Sequence, residues 1–122
     1  MSRAMLIHFA LHWPHVADTN LWPFAVDHAI YIWNNIPGRE ASLRMSPKEL
    51  FTGIKYQNHN HLQRLHVFGY PVYVLEAEFQ DKKKVPKWQQ QSCHAIYLGV
   101  SKLHSSTVHL VLNLETGCIT PQ

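Results

Sequence analysis

The amino-acid sequence predicts an α+β fold, with short helices in the first half of the chain and a small β-barrel in the second half. Three observations support this prediction. The chain has 122 residues, 46% of them hydrophobic and 16% charged, which fits one domain or two very small ones. Before residue 53 the apolar residues follow a helical period. After residue 71 they form short β-branched or aromatic runs that are bounded by turn residues.

The composition excludes several classes of protein. The high apolar and modest charged content is globular, so long disordered regions are not expected. No apolar run approaches the ~20 residues of a membrane helix, and His8 and His12 interrupt the apolar segment near the start. Cys93 and Cys118 are too few for a disulfide framework, which favours a reducing, intracellular compartment. The net charge of +3 permits nucleic-acid binding without requiring it.

The helical spacing predicts two longer helices. The first covers residues 2–12, places Ala4, Ile7 and Leu11 on one face, and ends at the Trp13-Pro14 pair. The second covers residues 21–32, in which positions 21, 24, 25, 28, 29 and 32 form an apolar or half-apolar stripe. Thr19 or Asn20 is the expected cap, and the Pro37-Gly38 pair is the expected stop.

A third helix and four strands complete the predicted elements. Ser46-Pro47-Lys48-Glu49 has the pattern of a capping box, with Gly53 at the C-terminus of the helix. The strands are expected at residues 72–75, 93–98, 108–112 and 118–120, and strands so closely spaced suggest a small barrel.

The polar stretch at residues 53–63 is the expected boundary between the two parts of the chain. We therefore divide the chain into a helical segment, residues 1–57, and a β-barrel domain, residues 58–122. The helical segment carries many large aromatic side chains for so small a bundle, which indicates that part of its apolar surface fits something outside it.

Histidines and cysteines raise the possibility of a metal site, and the spacing argues against it. His59-x-His61 with His66 nearby could supply ligands, as could the Cys93-His94 pair. No Cys or His pairs with the spacing of a structural zinc site accompany them, so a polar linker and scattered histidines are the simpler interpretation. Cys93 and Cys118 are expected to be small apolar residues in adjacent strands.

The eight carboxylates do not form a recognisable catalytic set. Glu49 is explained by the capping box, Asp18 by a helix start and Glu115 by a turn. No group of them is expected to converge on Mg²⁺ as phosphoryl-transfer chemistry requires. A Gly-rich phosphate loop and a nucleophile motif are also missing from the sequence.

A basic cluster is the strongest candidate binding site. Lys82, Lys83, Lys84 and Lys87 fall within six positions, and Trp88 follows them. Lysines in a loop between strands could neutralise phosphates, and the indole could stack on a base. The alternative is a solvated hairpin loop with Trp88 folded onto the barrel.

Several sequence phrases occur together in one order. They are RAML at 3–6, LWPFA at 21–25, NIP at 35–37, SPKELFTG at 46–53, LHVFG at 65–69, VYVL at 72–75, KVPKW at 84–88 and YLG at 97–99. In this order the chain resembles, over essentially its whole length, the integrase region of copia-type retrotransposon polyproteins.

The resemblance implies a particular arrangement of the two segments. Residues 1–57 would be the last helices of an RNase H-like catalytic core, beyond its catalytic Glu, and residues 58–122 an SH3-like barrel. No carboxylate of this chain matches a position of the family's Asp, Asp, Glu site, so the chain is expected to be non-catalytic and to hold no metal or cofactor itself. Mg²⁺ would belong to the parent strand-transfer enzyme. Tyr70 stands where the family often has Cys.

The function that the resemblance implies is a contribution to DNA integration through DNA contacts of the lysine loop. The expected partners are DNA, the remainder of the integrase core and a second copy of the chain, without a membrane. Two alternatives stay open: a protein-interaction or scaffolding module that uses the surface of Trp13, Trp22 and Trp33, and an inert remnant of a decayed element. The expected location is nuclear for a part of an active integrase and cytoplasmic otherwise.

Overall fold

The chain folds into mixed helix and sheet. A computed structural model describes residues 1–37, 45–55, 60–75, 86–105 and 107–122. The helical elements are α1 (Ser2–His12), a 3₁₀ turn (Thr19–Leu21), α2 (Trp22–Asn35), α3 (Pro47–Thr52) and the one-turn α4 (Asn60–Gln63). The strands that follow are β1 (Pro71–Leu75), β2 (Ser92–Val100), β3 (His109–Asn113) and β4 (Ile119–Pro121). The one-turn α4 lies in the stretch where the sequence analysis placed only a polar boundary.

Helix α1 has the predicted bounds but presents a different face to the core. Phe9 is buried, whereas Ile7 and Leu11, which share a face in the sequence pattern, are exposed. The apolar residues of α1 are spread around most of its circumference, so their spacing does not select one side. The aromatic ring of Phe9 buries more apolar area than the smaller neighbours would, and it packs near Phe68 with ring centroids 5.8 Å apart.

Helix α2 begins one residue later and ends three residues later than predicted. Leu21, rather than Thr19 or Asn20, is the residue that precedes the first helical turn, and no side chain caps the helix. The backbone N–H of Asn20 instead donates to Asp18 Oδ1 at 3.1 Å, which leads the chain into the 3₁₀ turn. Ala25 and His28 are buried on the predicted stripe.

The predicted capping box of α3 is confirmed. The backbone N–H of Glu49 donates to Ser46 Oγ at 3.3 Å, and the backbone N–H of Ser46 donates to a carboxylate oxygen of Glu49 at 2.6 Å. Both residues are buried. Gly53 ends the helix in the left-handed conformation, with φ at 71°.

The four strands form one antiparallel sheet in the order β1-β2-β3-β4. Tyr73 pairs with His94, Ile96 with Leu112, and the register between β2 and β3 shifts between Tyr97 and Gly99. The strands match the predicted runs to within two residues. The sheet is not closed in the described part of the chain, since β1 and β4 are its edges, so the predicted barrel is not confirmed.

One hydrophobic cluster joins the helices to the sheet. Its buried members are Phe9, Leu21 and Ala25 from the helical segment and Phe68, Ile96, Leu98 and Leu112 from the remainder of the chain. The cluster therefore crosses the proposed boundary at residue 57, and the division into two domains stays a prediction.

Trp13 lies at this junction. The scaffolding alternative required Trp13 to belong to an exposed surface, and it does not. It is half-buried, its indole N–H donates to the backbone oxygen of Gly69 at 2.8 Å, and its ring meets that of His94 edge-on. Within the described ranges, no helix has the length and apolar character needed to cross a bilayer.

Candidate nucleic-acid interface

The structure describes only the end of the predicted lysine cluster. Lys82, Lys83 and Lys84 lie outside the described residues. Lys87 and Trp88 are described, in a turn closed by a hydrogen bond from the backbone N–H of Gln89 to the backbone oxygen of Pro86, at 3.0 Å. This turn lies just before β2, so the start of β2 anchors the end of the lysine cluster that contains Lys87 and Trp88.

Both described residues of the cluster are exposed. The Trp88 side chain is 92% exposed, so it is not folded onto the sheet as the alternative interpretation supposed. Lys87 Nζ lies 5.9 Å from the centroid of the Trp88 ring, at the outer limit of a cation–π contact. An aromatic face and an ammonium group are therefore presented to solvent side by side.

This pair has the chemistry of a single-stranded or backbone-tracking contact. An exposed indole can stack on any base, because every base has a π-face, and an adjacent lysine can neutralise a phosphate. Neither group reads a base edge in a fixed geometry, so the arrangement favours binding without sequence preference.

Those metal-site candidates that the structure describes are dispersed. Cys93 is buried and its thiol lies 3.6 Å from the backbone oxygen of Val74, while the ring of His94 stacks on Tyr73 with centroids 5.2 Å apart. His59 lies outside the described residues. Cys118 is exposed next to β4, which pairs with β3 and not with β2, so the two cysteines do not lie in adjacent strands. In the described part of the chain, no group of three or more His, Cys, Asp or Glu residues could hold a metal ion.

A cluster of aromatic and imidazole rings was not anticipated from the sequence. Tyr97 of β2 lies at its centre, with ring centroids 5.7 Å from His28 of α2, 5.4 Å from His66 and 5.4 Å from His109 of β3. These residues come from four separate parts of the chain, so no spacing in the sequence signals their contact. His28 was expected only as a half-apolar member of a helical stripe.

Burial perturbs the titration of this cluster. Desolvation lowers the pKa of His28 from its usual value, and it lowers that of His109 as well, with the nearby His66 adding to the effect on His109. Burial raises the pKa of the Tyr97 hydroxyl to about 12. These groups are therefore neutral near pH 7, and the cluster stabilises the contact between α2 and the sheet as an aromatic core.

Comparisons with models of protein families, with curated proteins and with solved structures find no match to this chain. The resemblance to copia-type integrases therefore rests on the sequence phrases alone.

Proposed function

We propose that this chain is a non-catalytic part of a copia-type integrase and that it contributes sequence-independent DNA contacts through Lys82, Lys83, Lys84, Lys87 and Trp88. The observation that carries the proposal is the 92% exposure of the Trp88 ring beside the Lys87 ammonium group. An exposed indole next to positive charge favours a ligand with both π-faces and phosphates.

The proposal extends to the fold and the chemistry of the segment. An antiparallel four-stranded sheet with sequential strand order supports an SH3-like architecture for residues 58–122, with the helices as the end of an RNase H-like core. Two carboxylates of the described part have structural partners that suit a non-catalytic role. Asp27 forms an ion pair with Lys102 at 2.7 Å, and Glu49 belongs to the capping box.

The test is a titration of the whole chain with fluorescent single-stranded and duplex DNA at several salt concentrations. Binding should weaken steeply with salt, with a slope of log K against log salt of about −0.9 per phosphate contact on duplex DNA and about −0.7 on single strands. Changing all four lysines to Ala should make the slope shallower. A slope that the quadruple change leaves unaltered would exclude this loop as the contact.

Matched variants separate a local effect from a general loss of charge or aromatic surface. Lys87→Ala should weaken DNA binding, whereas Lys55→Ala, which removes another exposed lysine elsewhere, should not. Trp88→Ala should weaken binding to single strands by about five- to 150-fold, the effect of losing one stacked base. Trp33→Ala removes another exposed indole and serves as its control.

A second candidate function is protein interaction through the outer face of α2. Trp22, Ile30 and Trp33 are exposed large apolar side chains of this helix, at spacings that place them on one side. Sedimentation equilibrium would detect self-association in the absence of DNA, and Trp33→Ser should reduce it. A monomer at high concentration would exclude self-association as the role of this face.

A further inference from the structure

Two histidines of α1 lie one helical turn apart on its exposed side. His8 and His12 are four positions apart, a spacing that places two side chains on the same face of a helix. Both residues are exposed, and their ring centroids are 4.2 Å apart with the ring planes inclined at 33°. The two imidazoles are therefore neighbouring groups that solvent can reach.

The packing of α1 determines how this pair is presented. Phe9 is buried and Trp13 is half-buried, and each of them directly follows one of the two histidines. Successive residues of a helix are about 100° apart around its axis, so each histidine projects at that angle from its anchored neighbour. The pair is therefore carried by an element whose orientation the core fixes.

A hydrogen bond determines which nitrogen of the His12 ring can bind a ligand. His12 Nδ1 lies 2.9 Å from the backbone oxygen of His8. A carbonyl oxygen can only accept, so Nδ1 carries the proton and donates this bond. In the neutral imidazole the lone pair then lies on Nε2, the ring nitrogen farther from the backbone. Histidines that bind metals usually have this arrangement, because the bond to a carbonyl holds the ring in one orientation.

The position of the pair in α1 favours a cation. His12 is in the last turn of the helix, where carbonyl groups without a helical partner carry partial negative charge. In the described part of the chain, no third His, Cys, Asp or Glu residue completes a metal-binding group around the pair. An ion held by the two rings would therefore keep coordination positions that are open to water or to another molecule.

We propose that His8 and His12 bind Zn²⁺ as a two-imidazole chelate. Histidines four positions apart on one helix face are a recurrent pair of zinc ligands, and neutral imidazole suits this ion. Mg²⁺ and Ca²⁺ prefer oxygen ligands, which the two rings do not supply. The inference does not rest on the proposed function, because it involves neither the lysine cluster nor a catalytic carboxylate.

The experiment is calorimetric titration of the whole chain with Zn²⁺, repeated with Mg²⁺, which should not bind to the pair. His12→Ala should weaken Zn²⁺ binding by about 100-fold, because a second ligand held in place raises affinity by about 10²–10⁴. The matched control combines His12→Ala with Ala10→His, which keeps the number of histidines and moves the second ring about 200° around α1 from His8. This relocated variant should bind Zn²⁺ no better than His12→Ala alone. Because positions 10 and 12 are exposed, both variants should retain the wild-type melting curve without metal.

NMR signals of the imidazole rings locate the ion, which is necessary because the chain has ten histidines and two cysteines. Zn²⁺ should shift the ring signals of His8 and His12 at lower concentrations than those of the other histidines. The proposal is wrong if other histidines respond first, or if His12→Ala or the relocated variant binds Zn²⁺ as tightly as the wild-type chain. It is also wrong if the wild-type chain does not bind at millimolar Zn²⁺.

Sedimentation of the chain with Zn²⁺ identifies the remaining ligands of the ion. A Zn²⁺-dependent dimer that His12→Ala abolishes would mean that a second copy contributes its own pair, which completes the usual four ligands of a structural zinc site. A monomer that binds the ion would assign the open positions to water. Lys87→Ala should leave Zn²⁺ binding unchanged, so failure of this site and failure of the DNA contact are distinguishable.

Discussion

Gly69, which precedes β1, allows the chain to approach Phe9 of α1, and replacing it with Ala tests that contact. Its backbone has φ at +84°, a conformation that costs an L-residue about 1–2 kcal/mol. A Cβ atom at this position would lie 2.8 Å from Cδ2 of Phe9, a ring that is 1% exposed and has little room to move. Overpacking of this kind costs about 1–3 kcal/mol. We therefore expect Gly69→Ala to lower the free energy of unfolding by about 2–5 kcal/mol.

Gly53→Ala is the matched control for the backbone part of this effect. Gly53 has φ at +71°, and a Cβ atom there would meet no heavy atom within 4 Å. Its substitution should therefore cost only about 1–2 kcal/mol. Urea unfolding can be followed by circular dichroism at about 222 nm, where helices give a strong signal. The midpoint and slope of the transition give the free energy of unfolding of each variant.

A double-mutant cycle isolates the contact with Phe9. If the ring causes the extra loss, Gly69→Ala should cost less in a Phe9→Leu background, where the side chain is smaller and can shift. The reasoning is refuted if Gly69→Ala destabilises the protein no more than Gly53→Ala does. It is also refuted if the cost of Gly69→Ala is the same in both backgrounds.

Three further predictions concern the contact between α2 and the sheet. Because the pKa values of His28 and His109 are lowered in the fold, the unfolded chain binds more protons than the folded chain does as the pH falls through about 6.5. The urea midpoint should therefore be lower at about pH 5.5 than at about pH 7.5, and an equal midpoint would contradict this. Tyr97→Phe removes a buried hydroxyl that makes no hydrogen bond of ordinary geometry to any described residue, so thermal unfolding should show unchanged or slightly higher stability. Lys102→Ala breaks a solvent-exposed ion pair with Asp27 and should cost under about 1 kcal/mol in urea unfolding.

Local sequence patterns predicted the elements of the fold well. The bounds of α1, the capping box of Ser46 and Glu49, and the stop at Gly53 all depend on residues within one or two turns of each other. The strands were likewise marked by short β-branched and aromatic runs between turn residues. In each case the determining interactions are between near neighbours in the chain, so the sequence displays them directly.

Contacts between distant parts of the chain were not predictable in this way. Trp13 is tied to Gly69, 56 positions away, and this bond determines that the indole is half-buried. The same contact region selects Phe9, rather than Ile7 or Leu11, as the core-facing residue of α1. Helical spacing describes which side chains share a face, and the position of the sheet decides which face is covered.

The candidate site was predictable only in part for the same reason. A run of lysines followed by Trp88 is visible in the sequence, and its exposure depends on the turn before β2. The ring cluster around Tyr97 combines residues from α2, β2 and β3, whose approach is set by packing and not by spacing. No linear motif represents it.

The shared hydrophobic cluster has a consequence during synthesis of the chain. Phe9 and Ala25 leave the ribosome well before Leu98 and Leu112, which complete the cluster. At about 5–20 residues per second, the helices wait roughly 4–20 s for the strands that cover them. Throughout that interval the nascent helices present their apolar face to the surrounding solution, where a chaperone able to bind short apolar helices could shield it until β2 and β3 emerge.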